Sequence, residues 1–154
     1  MDITITTNFI ISRDGWMISI VVGSTTEITI KQIAYLENRI KDNKLFYKDI
    51  MLYYLDKNEF NNIKNGKFLH NIAKSDILIM SGGETAYSLL SSSGFKYLMS
   101  SNQIMPLIST GIIKGGLFDN KLYIIKGGSL GDVDIYDIMI RYARNNFNRE
   151  KENA

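Results

Sequence analysis

The sequence contains no cysteine, and this absence excludes three kinds of site. A chain of 154 residues without cysteine has no disulfide scaffold, no cysteine nucleophile and no metal site built on thiolates. No apolar run approaches the ~18 residues that a membrane helix needs. The opening residues, MDITITTNFIISRDGW, lack the basic stretch and long apolar core of a signal peptide. We therefore expect a cytoplasmic protein with no membrane partner.

An excess of charge of one sign is also lacking. The chain has 18 basic and 16 acidic residues, a net charge of +2, so charge gives no reason to expect a nucleic-acid partner. The length suits one domain with a proper core. We expect residues 1–15 to form a lead-in segment, residues 16–147 a single domain, and residues 148–154 a polar, frayed tail.

Short apolar runs alternate with segments of helical spacing along the chain. Such alternation predicts an α/β fold with three layers (α/β/α) around a mostly parallel sheet. Ligands of such sheets bind outside the carboxyl ends of the strands, so a ligand is expected at the loops that follow strands. The predicted strands are 17–22, 49–55, 76–80, 107–113 and 122–126, and the predicted helices are 27–41, 84–92 and 134–147, with one or two more within 58–74.

The first strand is followed by small and hydroxyl-bearing residues, Gly23, Ser24, Thr25 and Thr26. Small residues let the backbone approach a ligand, and the hydroxyls can bond a phosphate or a ribose. The same residue types commonly cap the next helix. On this loop alone, plain helix capping is the favoured interpretation. Taken together with the two loops described below, Gly23, Ser24 and Thr25 are predicted as nucleotide-binding residues.

The strand at 76–80 leads into Gly82, Gly83, Glu84 and Thr85. Glycines between a strand and a helix leave the amides of the helix N-terminus open to an anion, which the helix dipole favours. Glu84 would repel a phosphate unless it faces Mg²⁺, a ribose hydroxyl or water. In its simpler role, Glu84 only stabilises the first helical turn.

The strand at 122–126 ends in a lysine that is followed by a glycine-rich loop. The residues are Lys126, Gly127 and Gly128, continued by Ser-Leu-Gly-Asp. A lysine beside free backbone donors suits phosphate binding, and the alternative is a tight turn with an exposed lysine. We predict Lys126, Gly127 and Gly128 as nucleotide-binding residues.

The three loops are expected to meet at one edge of the sheet, since each follows a strand. One phosphate-bearing ligand explains three such loops more simply than three unrelated turns do. The sequence contains no GxxxxGK[ST], so it is not a P-loop NTPase, and no GxGxxG after the first strand, which counts against the common dinucleotide fingerprint.

Three motifs occur in order, namely "VVGSTTEITIKQ" with Gly23, Ser24, Thr29 and Gln32, "GGETA" over 82–86, and "KGGSLGD" over 126–132. Together with "MPLISTGII" they resemble the C-terminal nucleotide-binding domain of the four-carbon acid sugar kinases, also called the YgbK-like or DUF1537 family. The resemblance covers about residues 16–144.

This resemblance implies binding of ATP with Mg²⁺ and transfer of the γ-phosphoryl group to a hydroxyl of a tetronate-like acid. Ser24 would contact the nucleotide, residues 82–85 would cradle its phosphates, and Lys126 with Gly127 and Gly128 would form the third wall of the site. Glu84 would either orient Mg²⁺ through water or bond the ribose.

The chain departs from the family pattern in ways that affect this reading. Leu130 stands where the family has Phe and Ser129 where it has Gly or Asn, which alters packing around the nucleotide. The preceding acid-sugar-binding domain, with its Asp-Asp-x-Thr-Gly motif, has no counterpart here. We expect a fragment, a separately encoded subunit or a repurposed remnant, whose acid-sugar substrate and catalytic base come through another domain. Assembly into a homo-oligomer stays open.

Two other functions stay open. One is a non-catalytic nucleotide- or anion-binding sensor or regulatory protein that retained the loops. The other is an α/β enzyme of a different class, such as a transferase that uses a nucleotide-sugar or NAD. The missing substrate domain favours the sensor if the chain is a whole gene product.

Several polar residues are expected to have ordinary structural roles. His70 is the single histidine, and we interpret it as a residue of a helix surface. Asp132, Asp134 and Asp137 surround the start of the last predicted helix, where carboxylates favour the dipole. A divalent metal site is the sharper alternative for these three.

Overall fold

The structure, a computed structural model, describes residues 15–23, 25–55 and 66–152. The helices in this part of the chain are α1 (Glu27–Asp42), α2 (Gly66–Ala73), α3 (Gly83–Ser93) and α4 (Ile135–Glu152). The strands are β1 (Ile18–Val22), β2 (Ile50–Tyr54), β3 (Ile77–Ser81), β4 (Tyr97–Met105), β5 (Ile108–Lys114) and β6 (Leu122–Lys126).

The described strands form one mixed sheet in the order β2-β1-β3-β6-β5-β4. The first four strands of this order are parallel, and β5 and β4 complete the sheet in antiparallel pairs. In register, Val22 of β1 pairs with Ser81 of β3, and Ser81 pairs with Lys126 of β6. The last residues of these three strands therefore form one row across the sheet.

The helices cover both faces of the sheet. On one face, α1 and α4 pack on the side chains of β1 that include Ile18 and Ile20. On the other face, α2 and α3 pack on the alternate side chains, which include Val21 of β1 and Met80 of β3. The predicted three-layer α/β/α fold with a mostly parallel sheet is confirmed.

Local sequence signals explain where two of the helices begin and end. Thr26 caps α1, because its hydroxyl oxygen accepts a hydrogen bond from the backbone N–H of Thr29 at 3.3 Å. Gly94 ends α3 with a left-handed φ of 74°, a conformation that glycine adopts without strain. The predicted end of this helix before Gly94 is confirmed.

Two parts of the sequence prediction differ from the structure. Strand β4 was not predicted, because its sequence YLMSSNQIM shows no alternation and most of its residues are exposed at the sheet edge. The predicted frayed tail is wrong for residues 148–152, which continue α4. Glu150 is buried there and accepts hydrogen bonds from the hydroxyls of Tyr142, at 2.8 Å, and Ser101.

The lead-in segment and part of the middle of the chain were also the subject of predictions. Residues 1–14 and the first half of the mixed helical region, up to residue 65, lie outside the described residues. Of that region, α2 is described, and it begins at the predicted break near Gly66. No helix in the described ranges is long and apolar enough to cross a membrane.

Candidate functional site

The loops after β1, β3 and β6 lie side by side at one edge of the sheet. The backbone N–H of Gly23 donates to the carbonyl oxygen of Ser81 at 3.3 Å, and that of Gly82 donates to the carbonyl oxygen of Lys126 at 2.9 Å. These bonds continue the sheet ladder into the loops. The expected convergence of the three loops is therefore present in the fold.

The β1–α1 loop combines two of the expected features. Gly23 is half-buried beside β3 and Thr25 is exposed, while Thr26 makes the cap of α1. The capping interpretation thus holds for Thr26, and Gly23 and Thr25 stay predictions as nucleotide contacts. Ser24 lies outside the described residues.

The start of α3 presents backbone amides without a side-chain cap. Gly82 has φ 102° and ψ 131°, a conformation that strongly favours glycine. Because Gly82 has no side chain to accept a bond, the first-turn amides stay available to an anion. A Cβ built on Gly83 meets no atom within 4 Å, so the space above this turn is open. Glu84 is exposed there and Thr85 is buried.

Lys126 has a buried charge with no carboxylate beside it. The side chain is 0% exposed, and its Nζ donates to the carbonyl oxygens of Gly127 at 2.9 Å and Gly128 at 2.8 Å. Among the described residues, no carboxylate forms an ion pair with this ammonium. Burial lowers the pKa of Lys126 from 10.5 to about 8. Such a cation is suited to receive an anion from outside the chain.

A tyrosine supports Lys126 and the row of strand ends. The Tyr136 ring centroid lies 5.8 Å from Lys126 Nζ, and its hydroxyl donates to Ser81 Oγ at 2.8 Å. Burial raises the pKa of Tyr136 to about 12, so the hydroxyl keeps its proton near neutral pH. The buried side chains of Ser81, Lys126 and Tyr136 therefore form the floor beneath the loops.

Two residues of α1 hold the β6–α4 loop, residues 127–134. The Thr29 hydroxyl donates to the carbonyl oxygen of Gly128 at 2.6 Å. Gln32 Nε2 lies 2.9, 2.8 and 3.1 Å from the carbonyl oxygens of Leu130, Gly131 and Asp132. The sequence motif contains both residues, but their spacing alone did not assign them this contact.

The carboxylates near α4 differ in burial: Asp137 is buried with protein partners, while Asp132 and Asp134 are accessible to solvent. Asp137 is buried, pairs with Arg39 at 3.2 Å and accepts a hydrogen bond from the Tyr47 hydroxyl at 2.6 Å. Burial, followed by the bond to Asp137, raises the pKa of Tyr47. Asp137 thus has a structural role, because its carboxylate oxygens bond Arg39 and Tyr47. Asp132 is exposed and Asp134 half-buried.

A metal would need help from a ligand at this edge. Within the described ranges, no group of three His, Asp or Glu residues could hold a metal ion. Mg²⁺ in phosphoryl-transfer sites is commonly held by one or two carboxylates together with substrate phosphates, and Glu84, Asp132 and Asp134 offer such carboxylates. His70 is exposed on α2, as expected for a surface residue.

A separate concavity lies between the C-terminal half of α1 and the edge strand β2. It has a volume of about 320 Å³ and contains none of the predicted site residues. Three lysines, Lys41, Lys44 and Lys48, are exposed around its apolar wall. We take the loop edge as the candidate site instead, because among the described residues backbone donors, a buried charge and strand ends coincide there.

The fold matches solved structures of DUF1537 proteins. A Bordetella bronchiseptica DUF1537 domain, crystallised with bound citrate as a domain-swapped dimer, aligns with 86% of this chain and 40% of its own, at 14% identity and a TM-score of 0.66. A Haemophilus influenzae DUF1537 protein aligns with 90% of this chain and 42% of its own, at 16% identity and a TM-score of 0.53. The fold expected from the motif resemblance is confirmed.

The matches cover less than half of each solved chain. This chain spans about 40% of the length of the solved structures it matches. A third neighbour, from Salmonella typhimurium LT2, carries the provisional name of a tRNA synthase and aligns at 14% identity, with a TM-score of 0.54, over 82% of this chain and 41% of its own. No family model and no curated protein matches the sequence. The matches therefore establish the fold.

Proposed function

We propose that the chain is the ATP-binding domain of a kinase that phosphorylates a hydroxyl of a four-carbon acid sugar. The observation that carries the proposal is the buried ammonium of Lys126 at the meeting point of three strand-end loops, where no described carboxylate pairs with it. A phosphate there would supply the missing negative charge. The DUF1537 fold of the neighbours supports the same assignment.

The residues at the edge divide the work of holding a nucleotide. The amides of Gly82 and Gly83 and the N-terminal dipole of α3 would bind phosphate oxygens. Lys126 would neutralise charge that accumulates on the phosphates as the γ-phosphoryl group leaves. Glu84, Asp132 and Asp134 would orient Mg²⁺ through water, and Mg²⁺ supplies the bridging positive charge that phosphoryl transfer needs.

The acid-sugar substrate and the catalytic base would come from another domain. The matched chains are more than twice as long as the part that this chain covers, which leaves room for a substrate domain in them. The citrate of the Bordetella structure is a carboxylate-rich molecule, in keeping with an acid substrate for such proteins. The domain-swapped dimer of that structure leads us to propose a homo-oligomer here as well.

A non-catalytic anion or nucleotide sensor is the second candidate. The strand-end loops and Lys126 would account for anion binding on their own, whereas phosphoryl transfer would also need a catalytic base from another domain. We do not propose tRNA as a ligand of this chain, because its net charge of +2 indicates no basic surface of the kind that binds RNA.

Substituting Gly83→Trp should abolish binding of Mg-ATP without unfolding the domain. The ring would occupy the open space over the first turn of α3, where a Cβ meets no neighbour within 4 Å, and would block the approach of a phosphate. We expect an affinity loss of at least ~100-fold, about 2.7 kcal/mol, measured by isothermal titration calorimetry.

The matched control is Ser91→Trp, which places the same ring at an exposed position near the other end of α3. This variant should bind Mg-ATP as the unchanged chain does. Equal affinities of Gly83→Trp and Ser91→Trp, with both proteins folded by circular dichroism, would contradict a phosphate site at α3.

A further inference from the structure

Side chains beneath the β6–α4 loop draw a series of its carbonyl groups inward. Thr29 and Lys126 both bond the carbonyl oxygen of Gly128. Gln32 Nε2 shares its two hydrogens among the carbonyl oxygens of Leu130, Gly131 and Asp132. Four carbonyl groups within five residues thus point toward α1 and the floor of the site.

The amides of the same peptide units must point the other way. In a planar trans peptide, the C=O of one residue and the N–H of the next are antiparallel. The N–H groups of Ser129, Gly131, Asp132 and Val133 are therefore directed away from α1. None of these four donates to an acceptor in the described part of the chain.

Gly131 makes this arrangement feasible. A change of backbone handedness outside a helix can turn successive carbonyls to one side, and within residues 128–133 Gly131 provides it with a φ of 85°. A Cβ at this position would lie 2.6 Å from Ile135 Cγ1, so a larger residue is excluded. Successive amides in such a segment form an anion-binding concavity called a nest.

The geometry of Gln32 also indicates that its donors determine its position. Its side chain is buried, and its Oε1 has no hydrogen-bond partner among the described residues. Leaving a buried acceptor without a donor is unfavourable. The orientation of the Gln32 side chain is thus determined by the hydrogen bonds that its Nε2 donates to the loop carbonyls.

We propose that Thr29 and Gln32 are positioning residues that hold residues 128–133 as a nest for the terminal phosphates of a polyphosphate ligand. This inference rests on the proposed function and identifies the loop amides, beyond Lys126, as phosphate donors. Asp132 and Asp134 belong to the same loop and oppose a bare anion. The nest therefore favours the Mg²⁺-bound form of a polyphosphate over the free form.

The test uses inorganic tripolyphosphate with Mg²⁺ as the probe, titrated calorimetrically into the whole chain. Thr29→Val and Gln32→Leu should each weaken binding at least ten-fold, because the freed carbonyls let the loop turn its amides elsewhere. Thr29→Ser keeps the hydroxyl and should restore affinity to within about two-fold. Removing Mg²⁺ should weaken binding to the unchanged chain.

The matched control is Thr110→Val. Thr110 is buried in β5 and its hydroxyl donates to the carbonyl oxygen of Tyr123 in β6 at 2.9 Å, which is the same kind of bond but is made within the sheet and not to the loop. This variant should lower the melting temperature about as much as Thr29→Val does, while tripolyphosphate affinity stays unchanged. A merely structural role for Thr29 would instead make the two variants alike in both measurements.

Amide shifts give a readout that does not depend on any variant. In ¹⁵N-resolved spectra, tripolyphosphate should shift the amides of Gly131, Asp132 and Val133. Unshifted loop amides, or wild-type affinity in both Thr29→Val and Gln32→Leu, would overturn the nest while leaving the proposed function intact. A wild-type chain that binds neither tripolyphosphate nor Mg-ATP would overturn the proposed function and the nest with it.

Discussion

Substituting Lys126→Met should weaken Mg-ATP binding by roughly ten- to a hundred-fold, the range expected for the loss of a charged hydrogen bond. The same change should raise the free energy of unfolding. Lys126 is buried and pairs with no carboxylate in the part of the chain that the structure describes, so burying its charge in the ligand-free chain costs free energy. Methionine fills similar space without a charge. Calorimetry and urea unfolding measure the two effects.

The lowered pKa of Lys126 also predicts how the unfolding free energy changes with pH. The pKa of Lys126 is about 8 in the folded chain against an ordinary 10.5, so the unfolded chain holds more protons between these values. Unfolding free energy should therefore rise with pH across this window, and the whole penalty is present below pH 8. The penalty is on the order of 3 kcal/mol.

The comparison between the two chains isolates this titration from that of other groups. The excess stability of Lys126→Met over the unchanged chain should be largest near pH 7 and should shrink toward pH 10. A variant that is less stable than the unchanged chain at pH 7, or one that binds Mg-ATP as tightly, would contradict the assigned role of Lys126.

Substituting Asp137→Ala should have the opposite pair of effects. It removes the acceptor of the buried Tyr47 hydroxyl and the partner of Arg39. Breaking a buried pair costs about 3–5 kcal/mol, but the Arg39 side chain is 39% exposed, so we expect about 2–3 kcal/mol. Urea unfolding should show this loss, and the fraction that stays folded should bind Mg-ATP unchanged.

Asp132→Ala is the control for this prediction. Asp132 is exposed on the loop before α4, so its removal should change unfolding free energy by less than about 0.5 kcal/mol. If Asp137→Ala instead left stability unchanged and abolished Mg-ATP binding, Asp137 would be a ligand-binding residue, and the structural role argued for it would be wrong.

Most of the fold could be predicted because the buried strands carry strong local signals. The apolar runs of β1, β3 and β6 are buried on both faces, as parallel strands between helix layers are. Strand β4 lacks such a signal, because it lies exposed at the edge and pairs only with β5. The extension of α4 was missed since Glu150 is buried through a tertiary contact with Ser101 of β4, beside the hydroxyl of Tyr142 eight residues earlier on α4.

Part of the candidate site could likewise be predicted from the sequence, and part could not. The positions of Gly82, Gly83 and Lys126 at strand ends followed from the sequence pattern, since strand ends of a parallel sheet share one edge. The isolation of the Lys126 charge did not, because it depends on which side chains from other strands and helices surround the ammonium. The hydrogen bonds from Thr29 and Gln32 did not either, because they join α1 to a loop about 100 residues away. Asp137 was likewise assigned only through its tertiary partners Arg39 and Tyr47.

The measurement that tests the central claim most directly is a calorimetric titration of the chain with Mg-ATP, with NAD as the control ligand. A saturating ligand at about a hundred times its dissociation constant should add about 2.7 kcal/mol of stability. This gain should raise the melting temperature by several degrees. The account predicts binding and stabilisation by Mg-ATP and neither effect with NAD. Binding of neither ligand, or of NAD alone, would contradict a phosphate site for ATP at this edge of the sheet.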